Sequence, residues 1–389
     1  MDHLIDAIED SPFLTEEHLA RLTSRFVAIP SVNGEHTERD LALVIASELD
    51  DVGFETHIVG DERRPSVAAV WGTGDGGVVL NGHLDTVPVD DSEAWEFSPF
   101  SGHVSANAVH GRGACDMKGG LAVQVAVGQW LAAHEAAGRI VLQFAMGEER
   151  GEPGTEDLIE AGFVAPAGIV LEPTDLQIGV AQRGLVTLEV AVEGRAGHAS
   201  RPDLANNPIR RVPEILALVE RLDTEPEVQH DLLGAPAWTV TGVHAGVIPS
   251  MIPDHVRLLV DRRLVPGESA DGARRQLEKA IHDTVHDAVT RVSVVKSEGV
   301  YEPAEVDPAG QSATALAKAI EVFGDEATRF GTPYSSDVRH LVNTAGVDAV
   351  TYGPGRFSEM HARDEFVRKA DLRKAARAVA AYCDMLMEG

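Results

Sequence analysis

The chain has 389 residues, 44% of them apolar, which is more than one average domain and enough to bury a sizeable core. Its 62 acidic and 33 basic residues leave a net charge of −29, a field that repels nucleic acid and anionic membranes and discounts both as partners. Two cysteines, Cys115 and Cys383, are too few for a disulfide framework or a Cys-rich zinc site, and no run of 18 apolar residues is present to span a membrane.

Only six of the 33 basic residues are Lys, leaving 27 Arg. High acidity with scarce Lys points to a salty cytoplasm, where screening removes self-repulsion. The N-terminus, MDHLIDAIEDSPFLTEEHLARL (1–22), is acidic and amphipathic. It lacks the basic start and apolar stretch of a signal peptide, so a cytoplasmic location is expected.

In chain order, PSVAAVWG (65–72) and GVVLNGH (77–83) read as strands. An Ala-rich helix is predicted over 119–138, closed by Gly138. RIVLQFAMGEE (139–149) is a strand that runs into two carboxylates, and AGIVLEPTD (167–175) is a strand followed by another. This alternation predicts an α/β layer structure with a mixed central sheet flanked by helices. Ligands collect at the carboxyl ends of strands in open α/β sheets, so the polar strand ends are where chemistry is expected.

The character changes near residue 179. Strands are predicted at 179–194, 238–246, 255–264 and 291–299, and helices at 206–223 and 269–288. Two β-α-β units in this span predict an inserted α+β domain, two-layered and ferredoxin-like. The chain then returns to α/β style, with a helix at 309–323, a strand at 348–353 and a C-terminal helix at 371–387.

The polar strand ends are His83 and Asp85, Asp116, Glu148 and Glu149, and Glu172, with His361 near the C-terminus. Two His with several carboxylates and no Cys suit zinc, cobalt or manganese rather than a closed structural zinc site. Paired divalent ions about 3.5–4 Å apart share a bridging carboxylate and activate a water between them. Each item alone has a dull explanation. A strand-end His is often merely polar, and Glu-Glu is usually a solvated face.

Seven motifs in one order change that: GHLDTVP (82–88), WEFSPFSG (95–102), GRGACDMKGG (111–120), the Glu-Glu pair, LEPTD (171–175), GRAGHASRPD (194–203) and YGPGRFSEMHARDEF (352–366). Together they resemble the zinc-dependent amidohydrolases and exopeptidases that include acetylornithine deacetylase, succinyl-diaminopimelate desuccinylase, aminoacylase and carboxypeptidase G. The likeness covers nearly the whole chain.

The resemblance implies two metal ions, zinc first, with cobalt or manganese as alternatives. His83, Asp116 and Glu172 would hold one, and Asp116, Glu149 and His361 the other, with Asp116 bridging. Asp85 would hydrogen-bond the far nitrogen of His83. Glu148 would take a proton from the attacking water and pass it to the leaving amine. A cis peptide bond is implied after Asp116, at Asp116–Met117. Gly147 departs from the family, which often has Asp there, and is expected to loosen the strand end.

The family's domain plan implies a catalytic domain over 1–178 and 298–389, interrupted by an inserted dimerisation domain over 179–297. His198 would cross a homodimer interface to polarise the scissile carbonyl in the partner's site. Arg263, Arg339 and Asn207 match family positions near the substrate. Either Arg would suit a carboxylate clamp, and Arg262 is expected to point away from Arg263. The substrate implied is an N-acyl amino acid or short peptide. Desuccinylation of succinyl-diaminopimelate leads, on the likeness of SSDVRHL (335–341). Acetylornithine deacetylation comes next and peptide cleavage third. From another class, a metal-free relative that only binds acyl-amino acids is weighed against these.

Overall fold

The computed structural model describes residues 2–74, 76–286, 289–295 and 299–387. Two compact units are present. The first comprises Met1–Val180, Glu305–Phe330 and Ser336–Gly389, the second Ala181–Ala304 and Gly331–Ser335. The far boundary expected at 297/298 lies outside the described residues.

The first unit is built on a mixed sheet. In spatial order its main strands are Glu55–Asp61, Arg64–Trp71, Ile140–Ala145, Val78–His83, Ala167–Val170 and Asp348–Thr351. The last four run parallel, and Arg64–Trp71 meets Ile140–Ala145 antiparallel. Parallel strands covered on both faces read as continuous apolar runs rather than alternations. Accordingly every residue of Val78–His83, Ile140–Ala145 and Ala167–Val170 is buried. Val78, Leu80, Leu142 and Ile169 pack on one face with Leu121, Leu316 and Val379 of the flanking helices. Val79, Val141 and Val170 pack on the other with Leu341 and Ile159. The α/β expectation holds, and all four parallel strands end at the same edge.

Several predicted bounds shift for local reasons. Gly119–Ala133 is the helix, shorter than 119–138. Glu135 takes a left-handed φ of 49°, and the Ala136 N–H closes back on the Leu131 carbonyl, so the helix stops before Gly138. The 139–149 strand ends at Ala145, because Gly147 (φ 72°) turns the chain into a single 3-10 turn at Glu148–Arg150. Gly147 therefore makes the turn that presents the carboxylate pair, rather than loosening a strand.

The second unit follows the order strand Gly184–Glu193, helix Val212–Thr224, strands Ala237–Ala245 and His255–Leu264, helix Ala270–Thr284, strand Val289–Val294. All neighbours in its sheet are antiparallel, with Gly184–Glu193 and His255–Leu264 central. That is the predicted ferredoxin-like pattern. Val186, Leu188, Val190 and Val192 alternate inward against Ile215, Leu218, Leu277 and Ile281. The start of the predicted 206–223 helix is instead a 3-10 turn, Pro208–Arg211. Residues 287–288 and 296–298 of the predicted 269–288 helix and 291–299 strand lie outside the described residues.

Candidate metal centre

The site is assembled at the carboxyl edge of the parallel strands. His83 is the last residue of its strand, paired in register with Ala145. The Ala145 strand leads through Gly147 to Glu148 and Glu149, and Glu172 lies two residues beyond Val170. Asp116 stands in the turn before the helix Gly119–Ala133, and the Asp116–Met117 peptide is cis, as expected. A Cβ on Gly120 would lie 2.2 Å from the Leu171 carbonyl oxygen, so only glycine lets this turn approach the Glu172 segment.

Asp116 is the hub. Its Oδ1 is 3.1 Å from His83 Nε2, and its Oδ2 is 3.2 Å from His361 Nε2. Glu172 Oε1 lies 3.7 Å from His83 Nε2, and Glu149 Oε1 3.1 Å from His361 Nε2. Two sets result, His83–Asp116–Glu172 and Asp116–Glu149–His361, each with donor atoms within 4.8 Å of one another. Glu172 Oε2 is buried with no hydrogen-bond partner among the described residues, an acceptor that a cation would satisfy. The oxygen and imidazole donors therefore fit divalent ions.

The electrostatics point the same way. Burial, then Asp116, raises Glu172 well above the usual carboxylate range and Glu149 to about 7. Asp116 is held well below its ordinary value, because hydrogen bonds from His361 and His83 outweigh burial. Those to Asp116 and Glu149 raise His361 to about 10. Carboxylates packed this closely favour cations, whether protons or metal ions.

Asp85 faces His83, as the resemblance implies, and does more besides. His83 Nδ1 is 2.9 Å from the Asp85 main-chain oxygen and 3.5 Å from its carboxylate. The carboxylate also accepts the N–H groups of Glu148 (3.0 Å) and Glu149 (3.2 Å) and the Asn33 side-chain amide (2.5 Å). It anchors the turn that carries both glutamates.

Glu148 belongs to neither metal set. Burial, then Asp337, holds its carboxyl well above the usual range, and Arg339 Nη1 is 3.8 Å away. Arg339 is 4% exposed and also donates to the Ser336 carbonyl at 2.8 Å. It is turned toward Glu148 rather than toward open solvent.

The other predicted residues belong to the second unit. His198 accepts the Ser200 N–H at Nδ1 (3.2 Å), which leaves Nε2 as the protonated nitrogen of the neutral ring. Asn207 Oδ1 caps the 3-10 turn by accepting the Ile209 N–H. Arg263 is half-exposed and 3.0 Å from Asp261. Its neighbour Arg262 points to the opposite face, as expected, buried over the Trp238 ring. Sequence reasoning missed Asn33, Arg112 and Glu365, which support the site. Arg112 and Glu365 stood inside quoted motifs, but nothing in the spacing paired them.

The model for "Peptidase family M20/M25/M40" matches residues 79–385. The chain belongs to this family. An acetylornithine deacetylase of Myxococcus xanthus is 31% identical over 355 residues, 86% of each chain. A succinyl-diaminopimelate desuccinylase of Paracoccus denitrificans is 31% identical over 274 residues, 66% of this chain and 70% of its own. Among solved structures, an M20 family metallo-carboxypeptidase from Sulfolobus solfataricus superposes with a TM-score of 0.77 at 19% identity, covering 95% of this chain and 99% of the other. M20 membership makes the chain a metal-dependent hydrolase of linear amide or peptide C–N bonds. No helix among the described residues is long and apolar enough to cross a membrane.

Proposed function

We propose that this protein is a two-metal amidohydrolase that removes the acyl group from the nitrogen of an amino acid. The observation that carries this is Asp116, whose two oxygens face two separate ligand sets while Glu148 stands outside both. His83, Asp116 and Glu172 would hold one ion, and Asp116, Glu149 and His361 the other, with zinc favoured over cobalt or manganese. Bound there, the ions would lower the pKa of a water and polarise the amide carbonyl.

The chain's own residues supply the rest. Glu148 accepts a proton from the attacking water as the C–O bond forms. It returns that proton to the nitrogen as the C–N bond breaks. Its raised pKa has the direction that a proton carrier near neutrality needs. Asp85 holds the Glu148 backbone in place. His198, with its proton on Nε2, suits donation to the developing oxyanion.

That donation would come from a partner copy, with the second unit as the dimerisation domain. Ala237–Ala245 supports this, as an edge strand exposing Val243. A cytoplasmic enzyme without nucleic-acid or membrane partners is consistent with the charge of −29.

The first substrate reading is N-succinyl-diaminopimelate, on the SSDVRHL likeness and the Paracoccus denitrificans relative. The second is N-acetylornithine, favoured by the longer match to the Myxococcus xanthus relative. Cleavage of short peptides is third. With Arg339 turned inward, Arg263 is the better candidate for a carboxylate clamp, and Asn207 would be a separate substrate contact, since it lies beyond the opposite end of the Gly184–Glu193 strand. The complete ligand sets weigh against a metal-free binding relative. Metal analysis, followed by turnover on N-succinyl-diaminopimelate, N-acetylornithine, N-acetyl amino acids and Gly-X dipeptides, tests the proposal. Absence of metal, or of turnover on the whole panel, overturns it.

A further inference from the structure

Glu365 is 1% exposed and both its oxygens are engaged by one segment. Oε1 accepts the N–H groups of Cys115 (2.9 Å) and Asp116 (3.0 Å). Oε2 accepts the Gly113 N–H (3.0 Å) and the Arg112 guanidinium (2.6 Å). Four donors on one buried carboxylate fix the backbone on which Asp116 is carried.

Arg112 reaches the opposite way. Its Nη1 also donates to the Ala362 carbonyl (3.3 Å), and its Nη2 to the carbonyls of His361 (3.4 Å) and Pro88 (3.5 Å). The guanidinium lies over the Trp95 ring, 5.3 Å from its centroid. The segment it grips needs holding, since His361 (φ 57°) and Asp364 (φ 58°) both adopt left-handed backbone without being glycine.

We propose, on the two-metal reading above, that Arg112 and Glu365 are a positioning pair with unequal reach. Arg112 sets the affinity of the Asp116–Glu149–His361 set alone, through the His361 and Ala362 carbonyls. Glu365 sets the affinity of both sets, because it fixes Asp116, which both share. Neither touches a ligand atom of a metal directly.

Arg112→Lys separates the carbonyl contacts from the charge. Lys keeps the ion pair with Glu365 but replaces a planar fork by a single donor group. Metal-stripped protein is dialysed against zinc ions, the two stepwise dissociation constants are measured, and the stripped forms are melted. With Arg112→Lys, one constant weakens about 10–100-fold and the other stays within ~2-fold, the usual reach of a residue that orients a ligand. With Glu365→Gln, both constants weaken.

Unchanged constants in Arg112→Lys, equal weakening of both, or a stripped chain that no longer folds would each overturn the proposal by assigning Arg112 a merely structural role. Unchanged constants in Glu365→Gln overturn the Glu365 half, and if that variant does not fold, Arg112→Lys alone decides. A wild type that binds no zinc overturns the two-metal reading itself, a result distinct from any of these.

Discussion

Arg339 Nη1 stands 3.8 Å from Glu148 Oε1, with both side chains buried. Arg339 also faces Asp337, at 3.4 Å. The other Asp337 oxygen accepts the Thr155 hydroxyl at 2.6 Å. Thr155 accepts from Asn81, which also donates to Gln143 within the sheet. A continuous polar chain thus runs from the sheet interior to Glu148. Replacing Arg339 by Met should lower kcat about 10–100-fold, the scale of a catalytic group displaced by an ångström or so, with little change in KM. Steady-state kinetics on a hydrolysed N-acyl amino acid separate the two roles. A clamp on the substrate carboxylate would raise KM and leave kcat alone.

The Glu148–Glu149 pair should divide its work. Glu148→Ala should retain both metal ions and lose turnover by roughly 10²–10⁴-fold, the range for a removed general base. Glu149→Gln, in the His361 set, should lose metal instead. Elemental analysis beside turnover reads both. Near-wild-type turnover by Glu148→Ala would remove it from the mechanism.

Asp85→Ala should act on the turn more than on the His83 ring. It leaves the N–H groups of Glu148 and Glu149 and the Asn33 amide without their acceptor. Each buried donor left unpaired costs about 1–3 kcal/mol. Melting of the metal-free variant should show that loss, and metal affinity should fall about 10–100-fold as well. Unchanged melting with weakened metal binding would return Asp85 to a role on His83 alone.

His83, Glu149 and Glu172 stood out in the sequence because apolar runs end at or just before them, but Asp116 and His361 follow no such run, and the five were legible as one ligand set only through the family resemblance. The inserted βαββαβ unit was legible from alternation, as at Val186, Leu188, Val190 and Val192. The contacts of Asp85 with Glu148 and Glu149 were not. They depend on Gly147 folding the chain back after Ala145, which the strand pattern hid. The direction of Arg339 toward Glu148 was not legible either, because a motif gives residue type and not direction. The Arg112–Glu365 pair joins loops 253 positions apart, and only the fold brings those together.

Metal-free protein should lose stability as pH rises from 7 to above 10. His361 is lifted from its ordinary 6.5 to about 10 by Asp116 and Glu149. Its contribution is therefore fully present below about 6.5 and lost as pH rises through about 10. Glu149, raised to about 7, works in the same sense but has finished titrating by the upper part of this range. Melting of chelator-treated protein between pH 7 and 10.5 checks the slope, and His361→Gln should flatten it. The ring is half-exposed, so solvent and salt moderate the effect. An identical slope in His361→Gln would assign it elsewhere.

Salt should stabilise the chain. At −29 the self-repulsion is spread over the whole surface. The Debye length shrinks from about 14 Å near 50 mM to about 3 Å at 1 M, which removes most of that repulsion. Surface ion pairs such as Arg274–Glu278 and Lys279–Asp283 are weakened by the same screening. Exposed pairs contribute little at any salt, so the loss of repulsion dominates. The melting temperature should rise by roughly 5 °C or more between ~50 mM and molar KCl, worth about 4 kcal/mol in a chain of this size. Most of the rise should come below about 0.5 M, where screening changes fastest. Potassium sulfate at matched ionic strength separates screening from preferential exclusion, because only exclusion continues to climb once screening is complete. A flat profile in KCl would mark an ordinary acidic protein with no adaptation to high salt.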